Sequence, residues 1–319
     1  MRRAVLVDCD PGHDDALAVL LAARHFDVLG VTTVAGNADV ERTTLNARRI
    51  VDLTALPIPV ARGCAAPLAQ RAVHAPHIHG ASGLDGHEFP APRAPVDPRH
   101  AVEFLIDTLR AHEAVTLIAT GPLTNIAAAL RRAPDLAARI REISVMGGSV
   151  TGGNTTPAAE FNVWFDPEAA DAVFRSGIPL WMCGLNLTRQ AGLDAEGIAR
   201  LERLGTRAAR AMAALLWAYR GRLAEAAGLT TATLHDPCAV AILLEPSIIA
   251  STPMHVAVEL RGEHTRGMTV CDARHVRSIN VAAGPATSPR GAPPNANVGV
   301  TLDRAAFVEV LEDALASFP

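Results

Sequence analysis

Ala4-Val-Leu-Val-Asp8-Cys-Asp10-Pro-Gly-His-Asp14-Asp15-Ala-Leu-Ala-Val-Leu-Leu-Ala-Ala23 decides how the rest of the chain is read. Ala4 to Val7 is apolar and β-branched enough for a buried strand, and Ala16 to Ala23 is apolar and helix-favouring. Pro11-Gly12 is the turn between them. Asp8, Asp10, Asp14 and Asp15 are therefore gathered where the carboxyl end of a strand meets the amino end of a helix. Two like charges about 4 Å apart repel by roughly 1 kcal/mol in water and several times that near a protein surface. Such a cluster calls for a counter-charge, and oxygen ligands select hard cations, Ca²⁺ or Mg²⁺. Capping of the helix by Asp14 or Asp15 accounts for one acid or two, not for all of them. Metal binding is expected first of Asp10 and Asp15. Asp8, deeper in the strand, is the structural member, expected to point to the same side as Asp10.

The chain has 319 residues, 49% of them hydrophobic and 19% charged, which is ample for a large core. A net charge of −4 gives no electrostatic reason to expect nucleic acid or an anionic membrane as partner. No apolar run approaches a membrane span, and Arg2-Arg3 runs directly into an acid-bearing strand, so no cleaved secretory leader is expected. Five cysteines without a C-x-x-C pair predict reduced thiols and a cytoplasmic location. Cys9, between acids, reads as packing.

Strand-like runs at 4–7, 28–34, 58–60, 115–119, 142–146, 178–182 and 254–260 alternate with helical stretches. The helices fall at 16–23, 43–53, 101–111, 123–132, 167–176, 195–226 (broken at Gly205), 237–244 and 304–317. This alternation predicts an α/β fold, a mostly parallel, doubly wound Rossmann-like sheet in a single domain over 1–319. Ala35-Gly36-Asn37, Thr120-Gly121-Pro122 and Gly147-Gly148 follow strand ends, where doubly wound sheets place their ligands. Residues 62–100, 148–162 and 272–297 read as loops, the first able to cover the site and the last a surface excursion.

Asn154-Thr-Thr-Pro-Ala-Ala-Glu160-Phe161-Asn162 precedes a helix opened by Asp166-Pro167. Asp166 reads as the helix cap. Asn154, Glu160 and Asn162 suit sugar hydroxyls, though tying down their own loop would use the same chemistry. In His235-Asp236-Pro237, Asp236 alone reads as a cap; beside the other acids it reads as a ligand paired with a histidine. His77-Ile-His79 has no zinc-site spacing around it.

Taken together these segments resemble the inosine–uridine-preferring nucleoside hydrolases over nearly the whole chain. The resemblance is carried by Asp8-Cys-Asp10-Pro-Gly-His-Asp14-Asp15, Val31-Thr-Thr-Val-Ala-Gly36-Asn37, His79-Gly-Ala-Ser-Gly-Leu-Asp-Gly86 and Ala119-Thr120-Gly-Pro-Leu-Thr-Asn125. Val145-Met146-Gly-Gly148, Ala159-Glu160-Phe161-Asn162 and Leu234-His235-Asp236-Pro237 complete it. It implies calcium-dependent hydrolysis of the N-glycosidic bond of ribonucleosides to ribose and free base. Asp10, Asp15, Asp236 and the Thr120 carbonyl match the Ca²⁺ ligands. Asp14, Asn37 and Asn162 match positions that hold the ribose hydroxyls. Met146, Asn154 and Glu160 match those near the rest of the sugar, and Phe161 lines the ribose pocket. His235 faces the base, and His79 matches a base-side position of pyrimidine-preferring relatives. The implied mechanism uses Asp10 to take a proton from water and His235 to donate one to the departing base. A homodimer or homotetramer is also implied. Ala81 departs from the family's frequent acid, and Trp217 and Tyr219 have no assigned counterpart.

Two other readings fit part of the sequence. A strand ending in Asp-x-Asp also opens the haloacid-dehalogenase-type phosphatases, with Asp8 as nucleophile, but Pro11-Gly12 follows here and the chain has no lysine. A non-catalytic ribose or nucleoside sensor would need neither Asp10 nor His235.

Overall fold

The computed structural model describes residues 2–274 and 292–319. Among the described residues twelve strands are formed: β1 Ala4–Cys9, β2 Asp27–Thr33, β3 Val60–Arg62, β4 Val115–Ala119, β5 Ile140–Met146, β6 Leu180–Cys183, β7 Gly192–Leu193, β8 Ala232–Thr233, β9 Ile249–Met254, β10 Val256–Val258, β11 Thr269–Cys271 and β12 Ala296–Leu302. The α-helices are α1 His13–His25, α2 Val40–Thr54, α3 Pro76–His79, α4 Ala101–Ala111, α5 Thr124–Arg132, α6 Phe161–Phe165, α7 Pro167–Phe174, α8 Leu185–Thr188, α9 Ala195–Arg203, α10 Arg207–Ala227, α11 Pro237–Ala241 and α12 Arg304–Ala316.

Eight strands make the main sheet in the order β3-β2-β1-β4-β5-β6-β12-β9, parallel throughout except that β9 runs against β12. Helices cover both faces, because each central strand is apolar on both sides. In β1, Val5, Val7 and Cys9 pack with α1, α10 and α12, while Leu6 packs with α4 and α5. From β1 the chain winds outward one way through β2 and β3. It then returns to the other side of β1 as β4, so the winding reverses between β1 and β4. Doubly wound sheets bind their ligands beyond the strand ends at such a reversal.

The mostly parallel α/β architecture matches the sequence expectation, as does the helix break at Gly205, where φ is +75°. Two segments depart most from the expectation. The strand expected at 254–260 is split into β9, ending at Met254, and β10. Strand β12 begins at Ala296, within the expected loop 272–297; residues 275–291 of that loop lie outside the described residues. Gly299 disguises β12 in the sequence, yet packing requires it, since a Cβ there would sit 2.6 Å from Leu187 Cδ2. β9 hides for another reason: as an edge strand it carries Pro253 and exposed residues that blur its apolar pattern.

Candidate active site

The four N-terminal acids sit at the β1–β4 reversal. β1 delivers Asp8 and, one residue past its end, Asp10; the Pro11-Gly12 turn then starts α1 with Asp14 and Asp15 in its first turn. The Thr120 backbone N–H donates to the Asp8 carbonyl at 2.9 Å, locking the β4 exit beside the β1 exit. Two glycines pinch Asp10 between them. A Cβ at Gly121 would lie 2.5 Å from Asp10 Oδ1, and one at Gly36 would overlap Oδ2.

Asp14, Asp15 and Asp236 offer carboxylate oxygens all within 4.8 Å of one another, and all three residues are buried. Asp10 belongs to the same pocket without joining that tight trio. Its Oδ2 accepts the Asn37 N–H at 2.6 Å, and Asn37 Nδ2 donates both to the Asp10 carbonyl, at 3.1 Å, and to Asp15 Oδ2, at 3.3 Å. Asp15 Oδ1 accepts the Thr120 hydroxyl at 2.7 Å, and its Oδ2 accepts the Gly12 N–H at 2.9 Å. The helix-capping use of Asp15 is thus real, but it occupies one oxygen. The Asp236 side chain makes no cap bond, so the cap reading of that residue fails; it turns toward Asp14 and Asp15. Asp8 has partners other than those of Asp10. Its Oδ1 accepts Thr32 Oγ1 at 2.5 Å and Asn125 Nδ2 at 2.8 Å, tying β1 to β2 and α5.

None of the ion pairs among the described residues involves Asp8, Asp10, Asp14, Asp15 or Asp236. Burial therefore dominates their electrostatics. It pushes Asp14 and Asp15 up to about 6 and Asp8 up to about 7. Asp10 and Asp236 are driven well above the usual carboxylate range, by burial first and then by neighbouring carboxylates. Asp8 Oδ2 and Asp10 Oδ1 are buried without a hydrogen-bond partner. An all-oxygen donor set and orphaned acceptors, with no ion pair to these acids among the described residues, make a site that fits a hard divalent ion.

Across the pocket, Asn162 Nδ2 donates to the carbonyl oxygens of Thr120 at 2.7 Å and Met146 at 3.1 Å, joining the exits of β4 and β5. Glu160 caps α6: Oε1 accepts the Asn162 N–H at 3.0 Å, while Oε2 accepts those of Gly148 and Val163. Burial pushes it up to about 7. Asn154 is exposed, and its Oδ1 accepts the Phe161 N–H at 3.0 Å, closing its own loop. Asp166 caps α7 as expected and also anchors Leu68 and Thr124.

His235 N–H donates to Asp14 Oδ2 at 3.0 Å, and His235 Nδ1 pairs with Thr188 Oγ1 at 2.7 Å. Burial, helped by the Arg189 charge, lowers this ring to about 4, so it is neutral at pH 7. His79 is buried against His13, with Tyr219 lying over both. Sequence reasoning missed Thr188 and the contact of His13 with His79, and it named Tyr219 without assigning it a place. Nothing local signals contacts between residues as far apart as Thr188 and His235. Cys9 is buried packing, as expected, with its thiol driven up by burial.

A buried acid pocket beyond the strand ends, rimmed by amides and neutral histidines, belongs to a known class. The chain is a member of the inosine-uridine preferring nucleoside hydrolase family, matched over residues 5–309. It is an enzyme of the ribonucleoside hydrolase type, a glycosidase. It is 42% identical over its full length, and over the full length of the relative, to a pyrimidine-specific ribonucleoside hydrolase RihA of Photobacterium profundum. Identity to the RihA of Shewanella woodyi is 43%, covering 100% of this chain and 99% of that one. Among solved structures, a purine-preferring ribonucleoside hydrolase from Gardnerella vaginalis superposes with a TM-score of 0.88 at 30% identity, covering 98% of each chain.

Proposed function

We propose that this enzyme hydrolyses pyrimidine ribonucleosides to ribose and free base, with one calcium ion held by Asp10, Asp15, Asp236 and the Thr120 carbonyl. The observation that carries the reading is the buried trio of Asp14, Asp15 and Asp236 beside an unpartnered Asp10 Oδ1, with no ion pair to any of them among the described residues. The pyrimidine assignment follows the relatives at 42% and 43% identity, whose names specify it, over the 30% identical purine-preferring structure.

When bound, the ion supplies Lewis acidity that lowers the pKa of an adjacent water and a charge that attracts the ribose diol. Asp10 takes the proton of the attacking water at Oδ1. Asp14, Asn37 and Asn162 hold the ribose hydroxyls, while Met146, Asn154, Glu160 and Phe161 bound the rest of the sugar. As the C1′–N bond breaks, its electron pair leaves with the base, and positive charge grows on the ribosyl ring above buried carboxylates that favour it. His235 hydrogen-bonds the departing base, which takes up one proton to leave neutral, matching the proton Asp10 has taken from water, and His79 faces the same base. The support for these roles is the burial of Asp10, Asp14, Met146, His79, Glu160 and Asn162 and the hydrogen bonds that tie Asn37 to Asp10, His235 to Asp14 and Asn162 to the Thr120 carbonyl; Asn154 is exposed and bonds the Phe161 N–H.

We extend the reading to one domain over 1–319 acting in the cytoplasm as a homodimer or homotetramer. Five free cysteines support a reducing compartment. No described helix is long and apolar enough to cross a membrane. A panel of purine and pyrimidine ribonucleosides and deoxyribonucleosides, assayed with and without chelator, tests substrate and metal together. Metal-independent cleavage, or nucleoside bound without cleavage, overturns the proposal.

A further inference from the structure

The hairpin of β10 and β11 stands outside the main sheet, yet it presses on the loop that leaves β5. Thr269 opens β11 opposite Val258 and is buried. Its hydroxyl accepts the Ser149 N–H at 2.8 Å and donates to the Ser149 carbonyl oxygen, also at 2.8 Å. One hydroxyl can do both, because it carries one hydrogen and two lone pairs. The methyl group of the same side chain closes on the residue before. A Cβ at Gly148 would lie 2.6 Å from Thr269 Cγ2, and Gly148 has a φ of +71°. Two hydrogen bonds and one close contact from a single side chain thus converge on Gly148-Ser149.

The dipeptide is committed on its other side too. Gly148 N–H donates to Glu160 Oε2 at 2.9 Å, and the Gly148 carbonyl oxygen accepts the Leu185 N–H at 2.9 Å. All four backbone polar groups of the pair are therefore taken, two of them by Thr269. The hairpin itself is held by other means. Val256 and Val258 are buried in one apolar cluster with Val163, Val173 and Phe174. Arg266 pairs with Glu168 at 2.7 Å, and Gly267 lies against α6, where a Cβ would come within 2.9 Å of Trp164 Cα. Apolar packing and this ion pair keep the hairpin in place without the Thr269 hydroxyl, and a valine would suit the strand position equally well. Both hydrogen bonds of the hydroxyl go to the loop that orients Glu160.

We propose that Thr269 is a positioning residue for sugar recognition: by fixing Gly148-Ser149 it keeps the Gly148 N–H on Glu160 and so orients that carboxylate toward the 5′-hydroxyl of the substrate. The substrate half of this inference rests on the nucleoside reading above, in which Asp14, Asn37 and Asn162 take the ribose diol and Glu160 is left the 5′ end. The hydrogen-bonded chain from Thr269 to Glu160 does not depend on it. Gly148 supplies one of three backbone N–H donors to Glu160, beside Asn162 and Val163, so its loss loosens the carboxylate without releasing it. The consequence is graded, and it falls on one hydroxyl of the sugar.

The test compares kcat/KM of the full-length, calcium-supplied enzyme for uridine and 5′-deoxyuridine, with amide hydrogen exchange at Gly148 and Ser149 read in the same proteins. Thr269→Val keeps the side-chain shape and deletes the hydroxyl; Thr269→Ser keeps the hydroxyl. In Thr269→Val, kcat/KM for uridine falls roughly tenfold, mainly through KM, while 5′-deoxyuridine loses little and both amides exchange faster. Thr269→Ser keeps native values for both substrates. Equal losses on the two substrates overturn the proposal, because a merely structural role predicts them, and so does unchanged uridine turnover in Thr269→Val. Should that variant fail to fold, Thr269→Ala deletes the same hydroxyl, leaves room for a water at the Ser149 N–H, and is read in the same way. Freely exchanging Gly148 and Ser149 amides in the native enzyme overturn the hold and leave the hydrolase reading untouched. Protected amides in a native enzyme that cleaves no nucleoside leave the hold standing and remove the hydrolase reading.

Discussion

Asp10 accepts the Asn37 backbone N–H through Oδ2 at 2.6 Å and leaves Oδ1 buried without a partner. One oxygen fixes the carboxylate and the other is left for chemistry. Gly36 and Gly121 press on the two oxygens from opposite sides, so the orientation is set by backbone and not by rotamer preference. A base held this way needs no rearrangement when the water arrives.

Asp10→Asn therefore separates chemistry from folding. The amide has the shape of the carboxylate but no basic oxygen, so kcat should fall about 10³-fold. Without metal the variant should be at least as thermostable as the parent at pH 8, since a buried charge has been removed. Near-native kcat for pyrimidine ribonucleosides would refute the role.

Gly121→Ala probes the pinch. The added methyl meets Asp10 first, its Oδ1 at 2.5 Å and its backbone nitrogen at 3.0 Å, so the cost falls on the site. Calcium affinity should drop about tenfold to a hundredfold, as expected when a ligand is displaced from its orientation. Calorimetric titration checks it; unchanged affinity would take Asp10 out of the ligand set.

The β1–α1 junction was legible because a buried strand, a Pro-Gly turn and a helix follow each other within Ala4–Ala23, and the acids stand out at the seam. Asp236 was harder. His-Asp-Pro is how a helix start looks locally, and only the folded chain brings this carboxylate to Asp14 and Asp15, more than 220 positions earlier. His13 and His79 lie 66 residues apart, and their contact has no periodic signal. Asn154 and Glu160 went the other way: their amide and carboxylate chemistry suits a sugar, and the structure also employs both to hold their own loop. The edge strand β9 and the glycine-bearing β12 escaped notice because a strand half exposed, or pressed on a helix through Gly299, loses the alternation by which strands are read.

His235 is neutral at pH 7, so it acts on the leaving base as a hydrogen-bond donor and not as an imidazolium. His235→Ala should lower kcat for uridine about a hundredfold. An aryl riboside whose phenolate departs unaided should lose far less. Because the ring is lowered to about 4, no limb near pH 6.5 should appear in kcat/KM. Equal losses on the two substrates would remove the donor role.

The acid pocket also makes stability depend on pH in a way that metal should reverse. Asp14 and Asp15 are raised in the fold from 3.8 to about 6. Below 3.8 both the folded and unfolded chains hold these protons, and the fold bears no penalty from them. As pH rises toward 6 the unfolded chain releases its protons first, so these groups withdraw stability until the folded carboxyls ionise as well. Asp10 and Asp236, raised further, extend the loss toward higher pH. A divalent ion binds the ionised form and stabilises the fold by about 2.7 kcal/mol at a hundred times its Kd. The rise in Tm on adding calcium to metal-stripped enzyme should therefore be small at pH 5 and large at pH 8. Scanning calorimetry at both pH values measures it, and a calcium shift that is flat with pH, or larger at pH 5, would mean that these carboxylates do not hold the ion.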